Sequence, residues 1–168
     1  MKSFRELFGQ GDPLLRQADT LVQAAETYAI GTFKPLLKKF SFLREVDKNH
    51  WDFLLTIAGV FIAVTRLGNL RLGEKRQRKL MGKVGVKLTQ WNPTNGRCGF
   101  EDCASFYERT FDALTSAGGE FVASDALGSW VAWNVLGRPP QSEDERKLVR
   151  TVGGVISHAF SNWWKEKA

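Results

Sequence analysis

The segment FLLTIAGVFIAVT, residues 53–65, is the most apolar stretch of the sequence and carries no charged side chain. It is too short to cross a bilayer, since a membrane-spanning helix needs about 20 consecutive apolar residues. A helix drawn through it is apolar on nearly every face, which predicts burial inside a protein core. We therefore expect a central helix from about His50 to Leu67. Asn49 is its expected N-cap and Gly68 its expected C-terminal stop.

Helix signals also precede this segment. Asp12 is suited to the N-cap, Pro13 to the first helical position, and Gly31 to the position just beyond a helix end. A shorter helix is expected after Pro35, where Leu36, Leu37, Phe40 and Leu43 are apolar. The expected buried face of the first helix consists of Leu14, Leu15, Ala18, Leu21, Val22, Ala25 and Ala29.

Three further helices are expected after residue 91, and loop and glycine signals mark the first two. The segment NPTNGRCG, residues 92–99, contains Asn-Pro and Asn-Gly pairs and predicts a loop. One helix should begin near Glu101 and stop at Gly118-Gly119, and the next should end at Gly137. Their expected buried residues are Cys103, Tyr107, Phe111 and Leu114 in the first, and Leu127, Trp130, Val131 and Leu136 in the second.

A capping box opens the last predicted helix. Ser142 and Glu145 have the spacing at which each side chain bonds the other residue's backbone N–H. Gly153 and Gly154 lie inside this helix, where each costs about 1 kcal/mol relative to alanine. We expect close approach of another helix to compensate. The apolar stripe comprises Leu148, Val152, Val155, Ile156, Ala159, Phe160 and Trp163.

The composition is that of a globular domain. The chain has 168 residues, of which 43% are hydrophobic and 25% charged, so it is long enough to bury a core without disulfides. No linker or repeat divides it. We therefore predict a single all-α domain over residues 1–168, a bundle of six or seven helices around the helix at about 50–67. An absent signal-peptide pattern and only two cysteines favour a cytoplasmic protein.

Residues 66–87, RLGNLRLGEKRQRKLMGKVGVK, form a basic block directly after the apolar segment. They contain eight basic residues and a single acidic residue, Glu74, whereas the whole chain has a net charge of only +6. A solvated helix face usually mixes the two signs so that i,i+4 ion pairs form. The basic block lacks that mixture, which favours an anionic partner; an ordinary solvated face is the alternative.

The lysines of the basic block recur every fourth residue. On a helix, Lys75, Lys79, Lys83 and Lys87 would form one stripe, opposite the apolar Leu80, Met81, Val84 and Leu88. A helix begun near Gly73 is expected to end around Gly82. Residues 83–91 alternate between apolar and polar side chains, so an extended segment is a further possibility there.

An acidic protein partner is the first functional hypothesis, since no zinc-finger, RRM or KH pattern is present. A nucleic-acid phosphate backbone is the second. A membrane surface is the third, with Trp163 and Trp164 at the interface, although core packing of Trp163 is preferred. The expected partner-binding residues are Arg66, Arg71, Lys75, Arg76, Lys79, Arg78, Lys83 and Lys87.

Catalytic signals are sparse. No phosphate-binding loop, zinc-protease motif or nucleophile elbow is present, and the chain has only two histidines. His50 lies at a helix start, and His158 is expected to bond Asn162 one turn on. Cys98 and Cys103 lack a nearby third ligand for zinc. We therefore expect a non-catalytic protein without metal or cofactor; the partner's identity and the oligomeric state stay open.

Overall fold

The computed structural model describes residues 11–67, 72–116, 123–160 and 163. Within these ranges the chain forms six α-helices and no β-strand, which confirms the predicted all-α class. A 3₁₀ helix, Ser41–Glu45, and a π-helical segment, Ala63–Leu67, flank the second helix. The helices are α1 Pro13–Lys39, α2 Lys48–Ile62, α3 Glu74–Trp91, α4 Gly96–Ser116, α5 Ala123–Leu136 and α6 Glu143–Phe160.

The predicted central helix is α2. Every residue from Leu54 to Val64 is buried, because α1, α4, α5 and α6 all pack against this helix. Its N-cap is Asp47 rather than Asn49: the Asp47 carboxylate accepts a hydrogen bond from the Asn49 backbone N–H at 2.7 Å. The expected stop, Gly68, lies outside the described residues. No helix in the described ranges is both long and apolar enough to pass through a bilayer.

The first helix is longer than predicted. Asp12 caps α1 as expected, but α1 continues through Gly31 and Pro35 to Lys39, so the separate shorter helix is wrong. The buried stripe continues past the predicted end, with Phe33 and Leu36 both packed in the core. Such tertiary burial offsets the roughly 3 kcal/mol that a proline costs inside a helix.

The basic helix α3 is also longer than predicted. It extends from Glu74 to Trp91, so both the end near Gly82 and the extended alternative for residues 83–91 are wrong. The residues that decide its conformation are Leu80, Val84 and Leu88, which recur every fourth position and are fully buried. Val86, which a strand would have placed beside Val84, is 48% exposed.

The loop before α4 is shorter than the predicted 92–99, and the predicted helix start near Glu101 is wrong. α4 begins at Gly96, where an added Cβ would lie only 2.2 Å from the Leu88 carbonyl oxygen. Cys103 is buried as expected, but Phe111 is 39% exposed, which corrects its placement in the core. The Leu114 side chain and Gly118-Gly119 lie outside the described part of the chain.

Helices α5 and α6 cross at two glycines. A Cβ on Gly128 would lie 2.0 Å from the Val149 carbonyl oxygen, and a Cβ on Gly153 would lie 2.1 Å from the Ser124 carbonyl oxygen. Close approach of another helix is therefore confirmed for Gly153. Gly154 is exposed, and its missing Cβ would meet nothing within 4 Å.

The end of α5 and the start of α6 follow the sequence signals. α5 stops before Gly137, whose φ of +68° suits a glycine. The capping box of α6 is present, since Glu145 N donates to Ser142 Oγ at 3.1 Å and Ser142 N donates to Glu145 Oε2 at 3.0 Å.

Trp163 is partly buried against the core, as the preferred interpretation of the sequence expects, with its ring 5.9 Å from that of Phe160. Trp164 lies outside the described residues.

Candidate binding surface on the basic helix

Buried contacts fix the start of α3 against the end of the central helix. The Gln77 amide donates to the carbonyl oxygens of Val64 at 3.0 Å and Thr65 at 3.1 Å. These carbonyls lie in the π-helical region, where the ordinary i→i+4 pattern is interrupted. Leu80, one turn further along α3, is fully buried. The cationic side chains around these anchors are therefore carried by a firmly packed helix.

The second half of α3 is joined to α1 by three polar contacts. Lys83 Nζ lies 2.8 Å from Asp12 Oδ2, and Lys87 Nζ lies 3.2 Å from Asp19 Oδ1. The Trp91 indole N–H donates to the Glu26 carboxylate at 2.9 Å. These contacts advance in the same direction along both helices, so α1 and α3 lie roughly parallel here. We call this set of contacts the α1–α3 seam.

The seam also affects ionisation at the start of α1. The hydrogen bond from Lys83, together with the backbone N–H of Leu14, holds the pKa of Asp12 below its usual value. Asp12 thus serves two purposes, because one carboxylate oxygen caps α1 and the other binds a lysine of α3. An ionised Asp12 offsets the charge of Lys83 at neutral pH.

The cations of the basic block therefore do not form the single field that their spacing predicts. Lys83 and Lys87 are both paired in the seam, and the Lys87 side chain is only 19% exposed. Arg78 is well exposed but pairs with Glu74 one turn earlier on the same helix. Surface pairs of this kind contribute little to stability, yet they reduce the charge available to a partner.

Three cations at the N-terminal end of α3 remain without an ion pair to any described residue: Lys75, Arg76 and Lys79. All three are exposed and line one groove with a volume of about 620 Å³. Its two carboxylates are already paired, one with Arg78 and one with Lys83. We call it the basic groove; its lining consists of Asp12, Pro13, Leu14, Leu72, Gly73, Glu74, Lys75, Arg76 and Lys79.

The basic groove combines charge with apolar surface. Pro13, Leu14 and Leu72 contribute carbon atoms to a lining whose charged members are mostly cationic. Such a groove can hold an apolar side chain while the surrounding lysine and arginine groups contact carboxylates or phosphates. Sequence patterns alone did not indicate the apolar part, because Leu14 lies on a different helix from the lysines.

The structure thus brings together some of the predicted binding residues and separates others. Lys75, Arg76 and Lys79 share the basic groove, whereas Lys83 and Lys87 belong to the α1–α3 seam. The Arg66 side chain and Arg71 lie outside the described residues. The missed signal was an acidic repeat on α1, since Asp12, Asp19 and Glu26 recur every seventh residue and meet α3.

A second cleft, of about 460 Å³, brings His50 together with Cys98 and Asp102. The His50 Nε2 atom lies 3.3 Å from the Asn134 carbonyl oxygen, and Asp102 Oδ2 accepts the Trp130 indole N–H at 2.8 Å. Neither contact is the base–orienter pair that activates a cysteine nucleophile. The geometry therefore adds no catalytic assignment for His50.

The remaining candidate ligands are dispersed. Cys98 is exposed, whereas Cys103 is buried, and burial raises the pKa of the Cys103 thiol well above its usual value. His158 is exposed on α6, and its expected partner Asn162 lies outside the described residues. Within the part of the chain that the structure describes, no three His, Cys, Asp or Glu side chains could jointly hold a metal ion.

The chain matches no protein-family model, no curated protein and no solved structure.

Proposed function

We propose that this protein is a non-catalytic, cytoplasmic binding module that engages an acidic segment of a partner protein through the basic groove. The observation that carries the proposal is the set of three cations, Lys75, Arg76 and Lys79, which lack ion pairs within the described residues and line a partly apolar groove. An acidic segment with one apolar side chain would complement both parts of this lining. The charges would speed and orient the encounter, and the apolar contact would lengthen the bound state.

The apolar lining favours a peptide over a phosphate backbone. Phosphate contacts are made by cations and by N–H and O–H donors, and they gain nothing from Pro13, Leu14 or Leu72. Burying one leucine side chain stabilises a complex by up to about 1.5–3 kcal/mol. Each exposed charge pair adds up to about 1 kcal/mol. The apolar anchor is therefore expected to contribute as much affinity as two of the charge contacts.

The test compares two charge reversals in a fluorescence-anisotropy assay at low salt. The test variant is Lys75→Glu with Lys79→Glu, one turn apart beside the groove. The matched control is Lys34→Glu with Lys38→Glu, an exposed pair with the same spacing on α1. The probes are a short labelled peptide with several glutamates and one leucine, the same peptide with serine in place of leucine, and a short DNA duplex.

We expect the leucine-containing peptide to bind the wild type about tenfold more tightly than the serine version. The Lys75/Lys79 variant should weaken that binding by at least about tenfold, and the Lys34/Lys38 variant should not. If the wild type bound DNA more tightly than either peptide, and the Lys75/Lys79 variant lost that binding, the groove would be a nucleic-acid site and not a peptide site. Equal effects of the two reversals would show that only the overall net charge matters.

A further inference from the structure

Another groove, formed by residues of the C-terminal half of the chain, contains aromatic side chains in its lining. Its volume is about 720 Å³, and it lies between α4 and α5. Trp133 is 43% exposed there and contacts Phe106 edge to face, with ring centroids 5.6 Å apart. We call it the aromatic groove; its lining comprises Asp102, Phe106, Arg109, Thr110, Ala113, Ser129, Trp133, Asn134 and Pro140.

The α4 side of the aromatic groove carries one charge of each sign. Asp102 and Arg109 are two helical turns apart, about 10 Å along the axis, and both line the groove. Phe106 lies midway between them. Neither charge is neutralised by an ion pair with a described residue: Asp102 Oδ2 accepts from the Trp130 indole at 2.8 Å, and Arg109 Nε donates to the Ser105 carbonyl at 3.3 Å.

This arrangement is complementary to itself. If two copies of α4 pack antiparallel about a two-fold axis near Phe106, Arg109 of each copy comes opposite Asp102 of the other. The same axis places the two Trp133–Phe106 clusters together at the centre, where tryptophan and arginine side chains usually contribute most of the binding energy. Isologous interfaces require such a self-complementary patch.

We infer that the aromatic groove is a homodimer interface in which a second copy of this chain pairs with the first through α4 and Trp133. A foreign peptide would find the exposed tryptophan equally accessible, but the spacing of Asp102 and Arg109 around Phe106 specifically fits another copy of the same helix. The inference is independent of the basic groove, since the two grooves share no lining residue.

Analytical ultracentrifugation of the full chain over a concentration series tests this inference. The wild type should dimerise with a dissociation constant below roughly 1 mM. Trp133→Ser should weaken the dimer by about thirtyfold or more. Arg109→Glu should do so by at least about tenfold, because symmetry introduces two repulsive contacts. Arg150→Glu, an exposed control on α6, should leave the dimer unchanged.

Mixing two variants makes the test specific for the antiparallel arrangement. Arg109→Glu alone and Asp102→Lys alone should each dimerise at least about tenfold more weakly than the wild type. A mixture of the two should form a heterodimer, because both cross-interface contacts then join opposite charges. Thermal unfolding checks that Asp102→Lys, which loses the Trp130 hydrogen bond, is still folded; if it is not, Asp102→Asn replaces it and should weaken the dimer without repulsion.

Three results would overturn the inference. The first is a wild type that remains monomeric up to roughly 1 mM. The second is a dimer whose affinity is unchanged by Trp133→Ser and by Arg109→Glu, which would place the interface on another face. The third is a mixture of folded Arg109→Glu and Asp102→Lys chains that fails to associate.

Discussion

Replacing Gly153 with alanine is expected to destabilise the protein, whereas the same substitution at the adjacent Gly154 is expected to stabilise it. Both residues lie inside α6 and have helical backbones, so the intrinsic gain from alanine is the same, about 1 kcal/mol. The two sites differ only in their surroundings. A Cβ at position 154 meets nothing within 4 Å, while a Cβ at position 153 would lie 2.1 Å from the Ser124 carbonyl oxygen.

The expected cost at Gly153 follows from the movement that this contact requires. A carbon and a carbonyl oxygen normally stay more than 3 Å apart. The axes of α5 and α6 would therefore have to move apart by about 1 Å where the helices cross. The Ser124 oxygen belongs to the backbone and cannot rotate away. Overpacking of this kind costs about 1–3 kcal/mol, occasionally more, and the lost packing between the helices adds to it. After the gain of about 1 kcal/mol from alanine is subtracted, we expect Gly153→Ala to destabilise the protein by about 1–2 kcal/mol.

Urea unfolding followed by circular dichroism measures both changes. Gly154→Ala should raise the free energy of unfolding by about 0.5–1 kcal/mol. Gly153→Ala should lower the free energy of unfolding by about 1–2 kcal/mol. In a separate thermal melt, its melting temperature should fall by about 2–8 °C for a chain of this size. If Gly153→Ala were as stable as the wild type, α5 and α6 could not cross as closely as the 2.1 Å distance requires.

Three further predictions concern single buried or paired groups. The hydrogen bond from Arg138, followed by two backbone N–H groups, lowers the pKa of Glu145 from 4.5 to about 2. The stability that ionised Glu145 provides should be complete above pH 4.5 and lost as the pH falls towards 2, so the melting temperatures of wild type and Glu145→Gln should converge over that range. A thiol reagent should label only Cys98 in the native protein and also Cys103 after unfolding, because Cys103 is buried. Gln77→Leu should lower the free energy of unfolding by about 1–3 kcal/mol, since it leaves two carbonyls of the π-helical region without their donor.

The sequence was sufficient for the parts of the fold that depend on burial periodicity and capping. The apolar segment 53–65 predicted the central helix, and the Ser142–Glu145 spacing predicted the capping box. Helix ends were less predictable. Pro35 is a local stop signal, yet the burial of neighbouring side chains outweighs it, and that burial depends on helices far away in the chain.

The candidate site could be predicted only in part, for a related reason. Helical spacing placed the cations of α3 on one stripe, but it contained no information about what lies opposite that stripe. Asp12 and Asp19 pair with two of the lysines; Asp12 caps α1 and Asp19 lies within it, about 70 residues earlier in the chain. Contacts between distant segments depend on the packing of α1 against α3, which no local pattern specifies.

The difference between the paired and unpaired lysines has a simple geometric cause. Along the α1–α3 seam, Lys83 meets Asp12 at the very start of α1, and the contacts proceed towards the C-terminal ends of both helices. Lys79 lies one turn before Lys83 and therefore beyond the first turn of α1, where it finds no described carboxylate. The same offset opens the basic groove, because α3 extends past the α1 terminus and leaves Leu14 and Leu72 along its side. Lysines with equal spacing are thus paired with carboxylates of α1 and its N-cap at one end of α3, and lie without an ion pair to any described residue at the other.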